Sequence, residues 1–199
     1  MAGGDGIAEI GVHARGVPGL PPAHAAIPVW NAENWFFEGF APGDTTRSIR
    51  RTISEGESMP FSSFVMDHHP YVSDEHFAAE EGLFGRRLVA GAVDFSLGLG
   101  PAATNCLNSC SYGNDRRRFI APVFISVTIY TIRENPSKEV HVLRQGKVRV
   151  SYSVYKGGGE QVRYAEHLMT ALYRDPAPFA AEAAQKLAAK AARKARADG

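Results

Sequence analysis

Residues 59–100 read MPFSSFVMDHHPYVSDEHFAAEEGLFGRRLVAGAVDFSLGLG, and they bring together a polar turn, a helix start and an apolar segment punctuated by glycine. Asp67, His68 and His69 stand before Pro70, which has no backbone N–H and biases the residue ahead of it toward an extended conformation. A carboxylate and two imidazoles are therefore held on a turn. Ser73 or Asp74 is placed to cap a helix running to Glu81 and Gly82. From residue 89 to 99 the chain is apolar, and Gly91 and Gly98 admit close backbone approach, so a buried helix is expected beside the polar turn. Asp94 interrupts that helix. An unpaired buried carboxylate is costly, so Asp94 is expected to face a pocket or to pair across the fold, with Arg117 or Arg118 as partner.

Outward from this segment, residues 45–54 alternate polar and mixed positions as a first strand would, and residues 101–114 carry the Asn and Gly content of a loop. Residues 124–133, 140–144, 147–155 and 161–172 are β-rich, with turns expected at Asn135-Pro136, Gln145-Gly146 and Gly157-Gly158-Gly159. One early helix followed by a meander of antiparallel strands is the order of a curved sheet wrapped around a central helix. Trp30, Trp35, Phe36, Phe37 and Phe40 concentrate aromatic area before a turn at Ala41-Pro42-Gly43-Asp44 and read as a hydrophobic wrap. Residues 1–28 are rich in Gly, Ala and Pro without sustained period and are expected as an N-terminal arm, residues 29–175 as the body, and residues 176–199 as an Ala/Lys-rich helical tail.

Composition excludes several classes of function. Of 199 residues 44% are hydrophobic and 22% charged, enough for one domain with a core, and the net charge of +1 gives no field for nucleic acid. The basic character is confined to the tail: residues 180–199 hold five of the 22 Lys and Arg and two of the 21 Asp and Glu. No apolar run approaches the ~18 residues a membrane span needs. A cytoplasmic protein is expected. Cys106 and Cys110, spaced CLNSC, lack a second ligand pair for a zinc pattern, so no metal is assigned. The glycines of residues 96–100 do not follow a strand and do not complete a dinucleotide fingerprint.

Several short motifs, in order, resemble the MaoC-like dehydratases, the hot-dog-fold relatives of R-specific enoyl-CoA hydratases. They are Phe40-Ala41-Pro42-Gly43-Asp44, the Phe-rich run of residues 50–64, Asp67-His68-His69-Pro70, Phe84-Gly85, Leu88-Val89-Ala90-Gly91, and Arg118-Phe119-Ile120-Ala121-Pro122-Val123. The resemblance covers residues 35 to 173. It implies an α+β hot-dog fold, a long central helix wrapped by a curved antiparallel sheet, and a homodimer or heteromer acting on an acyl-CoA or acyl-carrier-protein thioester without a cofactor.

The resemblance also implies a catalytic pair on the Asp-x-Asn-Pro-x-His loop and a thioester oxygen polarised by backbone N–H groups at the start of the central helix. Asp67 matches the first catalytic position, but Val72 stands where the family has histidine, and a valine carries no proton. One positioned acid–base group is worth roughly 10²–10⁴ in rate. Ala90 likewise replaces the histidine of the helix start, and Ile125-Ser126 the Gly-Asp that follows the wall strand. His69, in the family's Asn position, is the expected replacement partner for Asp67. His68, Ala90, Gly91, Asp94 and Arg118 are expected to bind substrate, the arginine by meeting phosphate groups. The altered loop favours a specialised, secondary-metabolite-like acyl chain. Two other functions fit the same residues: a hydration-inactive binding subunit of a heteromeric complex, and an isomerase or cyclase needing a single base.

Overall fold

In the computed structural model the described residues are 19–28, 35–102 and 107–197. Of the expected N-terminal arm, residues 1–18 lie outside them, as do Trp30, Asn105 and Cys106. The architecture is a six-stranded antiparallel sheet wrapped around a buried helix, the expected hot-dog fold. Its strands are β1 (Thr45–Arg47), β2 (Arg51–Thr52), β3 (Ser109–Phe119), β4 (Thr128–Val142), β5 (Gln145–Lys156) and β6 (Gln161–Leu172). Their order is β1-β4-β5-β6-β3, with β2 also on β4.

The helices are α1 (Pro22–Ala25), α2 (Glu55–Phe64), α3 (Pro70–Ser73), α4 (Glu75–Glu80), α5 (Gly91–Leu99) and α6 (Ala180–Ala197). The central helix is α5. It has nine residues rather than the expected long run, because Gly98, Gly100 and Pro101 remove helix propensity at its end. The longest helix is α6. Its Ala183 is buried against the body and Lys186 Nζ donates to the Val140 carbonyl at 2.7 Å.

Several strand readings need correction, beginning with the turn expected at Gln145-Gly146, which falls at residues 143–144, with Gln145 already paired to Val142 in the ladder. The expected first strand, residues 45–54, is broken in two: at Ser48 the backbone N–H donates to the Thr131 carbonyl while the Ser48 hydroxyl accepts the Thr131 N–H, so a side chain takes one place in the ladder. Asn135-Pro136 is not a turn but lies at a register shift inside β4. The extra backbone groups there are taken up by Gly43 N–H donating to the Asn135 carbonyl and Asn135 N–H to the Asp44 carbonyl. Finally, residues 109–114, read as loop, begin β3. That strand is the sheet edge, exposed along most of its length, so it has no apolar alternation to betray it.

Two buried clusters fill the concave face. One joins Ile53, Val72, Val89, Ala90, Val93, Val123, Ile129, Val154 and Val162 around α5. The other gathers Phe37, Phe40, Val148, Val150, Tyr152, Met169 and Tyr173 at the opposite end. Burying a side chain of this size contributes about 1.5–3 kcal/mol, which holds Phe37 and Phe40 of the aromatic wrap against the sheet. Phe37 stands edge-on to Tyr173, 5.2 Å between centroids, and presses on β5 where a Cβ at Gly146 would come within 2.2 Å of its ring.

Candidate active site

The loop that carries Asp67 begins at the end of α2. Met66 holds φ at 59°, a left-handed conformation that costs a non-glycine residue about 1–2 kcal/mol. Met66 N–H donates to the Ser63 carbonyl and Asp67 N–H to the Ser62 carbonyl, the paired bonds of a Schellman helix end. Asp67 is thus fixed by its backbone, and its side chain is half-buried. His68 and His69 are exposed. His69 caps α3: its Nδ1 accepts the Tyr71 N–H at 3.2 Å and its ring stacks on Tyr71 at 5.0 Å. The Ser73 hydroxyl donates to the His68 and His69 carbonyls, and Asp74 caps α4 by accepting the Phe77 N–H. Val72 points inward, into the cluster with Val89, Ala90 and Val93.

A cavity of about 390 Å³ lies at the start of α5. Phe84, Leu88 and Val89 form one side, residues 119–123 the other, and Gly91 and Asp94 lie between. The two sides are clipped together where Val89 N–H donates to the Val123 carbonyl. A Cβ on Gly91 would come within 3.0 Å of the Phe119 ring, so glycine lets the wall close on the helix. Asp67, His68, His69, Ala90 and Arg118 are not in the cavity wall. Ala90 is the buried N-cap residue of α5, and no side chain caps that helix. Arg118 is exposed on β3 opposite Tyr164. Of the expected site residues, the structure therefore brings Gly91 and Asp94 together at the cavity.

The partner of Asp94 is Arg163, not Arg117 or Arg118. Asp94 Oδ2 lies 3.6 Å from Arg163 Nη1, with Asp94 3% exposed and Arg163 fully buried. Arg117 instead lays its guanidinium on the Phe95 ring at 4.1 Å, with Arg163 near the same ring at 5.1 Å. Among the described residues no hydrogen-bond donor reaches Asp94 Oδ1, and no acceptor is within hydrogen-bonding distance of the Arg163 nitrogens. Burial pushes the Asp94 carboxyl above its ordinary range, with Arg163 pulling the other way. The same burial lowers Arg163, opposed by Asp94.

Sequence reasoning missed Arg163, yet a signal exists. Along β6, Ala165, Met169 and Ala171 are buried on the face that packs inward, and Arg163 falls in the same two-residue phase. Gly98 makes room for it: a Cβ there would stand 2.0 Å from Arg163 Nη2. The cavity combines apolar walls, a helix start and one ionisable group whose Oδ1 is buried without a hydrogen bond among the described residues. Walls of this kind suit an apolar group, and a carboxyl beside them is a candidate for acid–base work.

A curved sheet around a short buried helix, with an apolar cavity at that helix's start, defines a hot-dog protein. The chain belongs to the MaoC like domain family, whose model matches residues 38–157. It is 34% identical over 90 residues to Protein MaoC of Klebsiella aerogenes, covering 44% of this chain and 27% of that protein, so it spans little more than a quarter of that relative's length. Among solved structures, a monoamine oxidase regulatory protein from Archaeoglobus fulgidus superimposes with a TM-score of 0.67 at 25% identity, covering 73% of this chain and 100% of that one. The (R)-hydratase from A. caviae involved in PHA biosynthesis superimposes at 0.58 and 20% identity, covering 66% and 97%; at that identity the likeness shows the fold alone.

Proposed function

We propose that this protein adds water to, or removes it from, an acyl chain carried as a thioester on coenzyme A or a carrier protein. The observation that carries this reading is the cavity: an apolar-walled space of about 390 Å³ set against the start of α5, in a chain of the MaoC-like family. In this reading the acyl chain lies between Leu88 and residues 119–123, and the thioester oxygen meets the backbone N–H groups following Ala90, where the helix field favours a developing enolate. Asp67 holds the water or takes its proton, and Arg118 and His68, both exposed, meet the phosphates of the carrier arm. His69 caps α3 through Nδ1, and this reading does not use it as the proton-transfer partner. The loss of the loop histidine at Val72 supports a specialised acyl substrate over a short unbranched one.

The test is turnover of a panel of enoyl- and 3-hydroxyacyl-thioesters, on coenzyme A and on a carrier protein, with Asp67→Asn beside the wild type. Hydration or dehydration that falls at least 100-fold in the folded variant supports the reading. Wild-type protein that is folded and turns over no thioester sinks it.

A further inference from the structure

We propose that Asp94 is a catalytic residue of this cavity, the acid–base group that replaces the loop histidine missing at Val72. The inference rests on the thioester reading above and assigns it a reacting group, the Asp94 carboxyl in the cavity wall. Three observations converge. Among the described residues Asp94 is the ionisable residue of the cavity wall, the other lining residues being apolar or glycine. Its carboxylate is almost wholly buried, with Oδ2 turned to Arg163 and no donor on Oδ1 among the described residues. The helix places it one turn past Ala90, Asp94 N–H donating to the Ala90 carbonyl, so it stands beside the α5 start where the thioester oxygen is proposed to bind.

A purely structural ion pair is a poor description of this geometry. A buried pair offsets its desolvation only when hydrogen bonds satisfy both partners. Here the separation is 3.6 Å and the Arg163 nitrogens have no hydrogen-bond acceptor among the described residues. What the arrangement does supply is a carboxyl whose proton affinity is set by two opposing influences. Burial raises it and Arg163 of β6 holds it down. Arg117 of β3, stacked on Phe95, acts on Arg163 in turn, and among the described residues the walls on both sides of the cavity carry no other charge.

The step balances within the substrate and one water. In hydration, with Asp67 holding the water rather than deprotonating it, the Asp94 carboxylate takes a proton from that water as the water oxygen bonds to C3 of the enoyl thioester. The C2–C3 π electrons move to the thioester oxygen. The enolate then collapses, and the proton passes from Asp94 to C2, leaving the carboxylate as it began. Dehydration is the reverse, with Asp94 removing the C2 proton and returning it to the departing hydroxyl.

The experiment compares wild type, Asp94→Asn, and the double variant Asp94→Asn with Arg163→Gln, on whichever thioester the wild type turns over. Far-ultraviolet circular dichroism and a melting curve establish folding. The double variant removes both charges together, so it keeps the test open where the single variant leaves Arg163 buried alone and unfolds. The expected result is a fall in kcat of roughly 10²–10⁴ with KM within about threefold. Arg163→Gln should move the acid limb of the hydration pH profile upward, because Arg163 holds the Asp94 proton affinity down; a merely structural role would not move it. A folded Asp94→Asn or double variant whose kcat stays within tenfold of wild type overturns the assignment and leaves the thioester reading standing. Wild-type protein inert toward every thioester overturns both.

Discussion

On the 67–69 turn a carboxylate and two imidazoles stand at the surface or half-buried, and the contacts there are local: His69 caps its own helix, Ser73 closes on two carbonyls, and Asp67 is held by the end of α2. On α5 a single carboxylate is buried against one arginine from a strand remote in sequence, and both leave polar atoms without hydrogen bonds among the described residues. The turn spends backbone groups and His69 Nδ1 on making a shape. The cavity floor keeps unsatisfied polarity buried, where electrostatic interactions are strong and proton affinities move. Closeness in sequence gathers polar residues on the turn, whereas burial leaves a single carboxyl incompletely satisfied on α5.

Three measurements break or sharpen that contrast. The largest effect is expected at the floor. Arg163→Gln leaves Asp94 buried without its counter-charge and should lower stability by about 3–5 kcal/mol in chemical denaturation, with the double variant carrying Asp94→Asn recovering much of that loss. Additive losses in the two single variants would mean that the pair is not coupled. Next is Gly98→Ala, whose new Cβ meets Arg163 Nη2 at 2.0 Å and Val154 Cγ2 at 3.0 Å. It should cost about 1–3 kcal/mol by overpacking, read as an earlier denaturation midpoint; an unchanged midpoint would show that the floor yields.

The smallest effect belongs to the turn and has the opposite sign. Met66 at φ 59° and Ser126 at φ 67° both occupy the region glycine prefers, one before Asp67 and the other just past the cavity wall. Met66→Gly should raise stability by about 0.5–1 kcal/mol, the relief of left-handed strain less the entropy glycine adds to the unfolded chain. A loss of stability would mean that the exposed Met66 side chain makes a contact the turn depends on.

The strong patterns were legible because they rest on local physics. Asp74 was identifiable as a cap, the apolar run around Gly91 as a buried helix, and the β-rich tracts as a meander, since helix caps and strand periods need only neighbours a few residues away. Where a polar tract sits at a sheet edge, as in residues 109–114, no period exists to read. Where a strand bends through Asn135-Pro136, a bulge and a turn look alike until the backbone partners Gly43 and Asp44 are known.

By itself the sequence determined the hot-dog class, the family, the pinned turn around Asp67 and the oddity of a charged residue in an apolar helix, because each is written in local composition, spacing or motif order. Tertiary structure alone decided that Val72 faces the core, that His69 Nδ1 caps α3, and that Asp94 meets Arg163 rather than Arg117 or Arg118 on β3. Those outcomes depend on which residues of β6 and α5 share the inside of one curved sheet, and sheet curvature brings together positions that no sequence spacing connects.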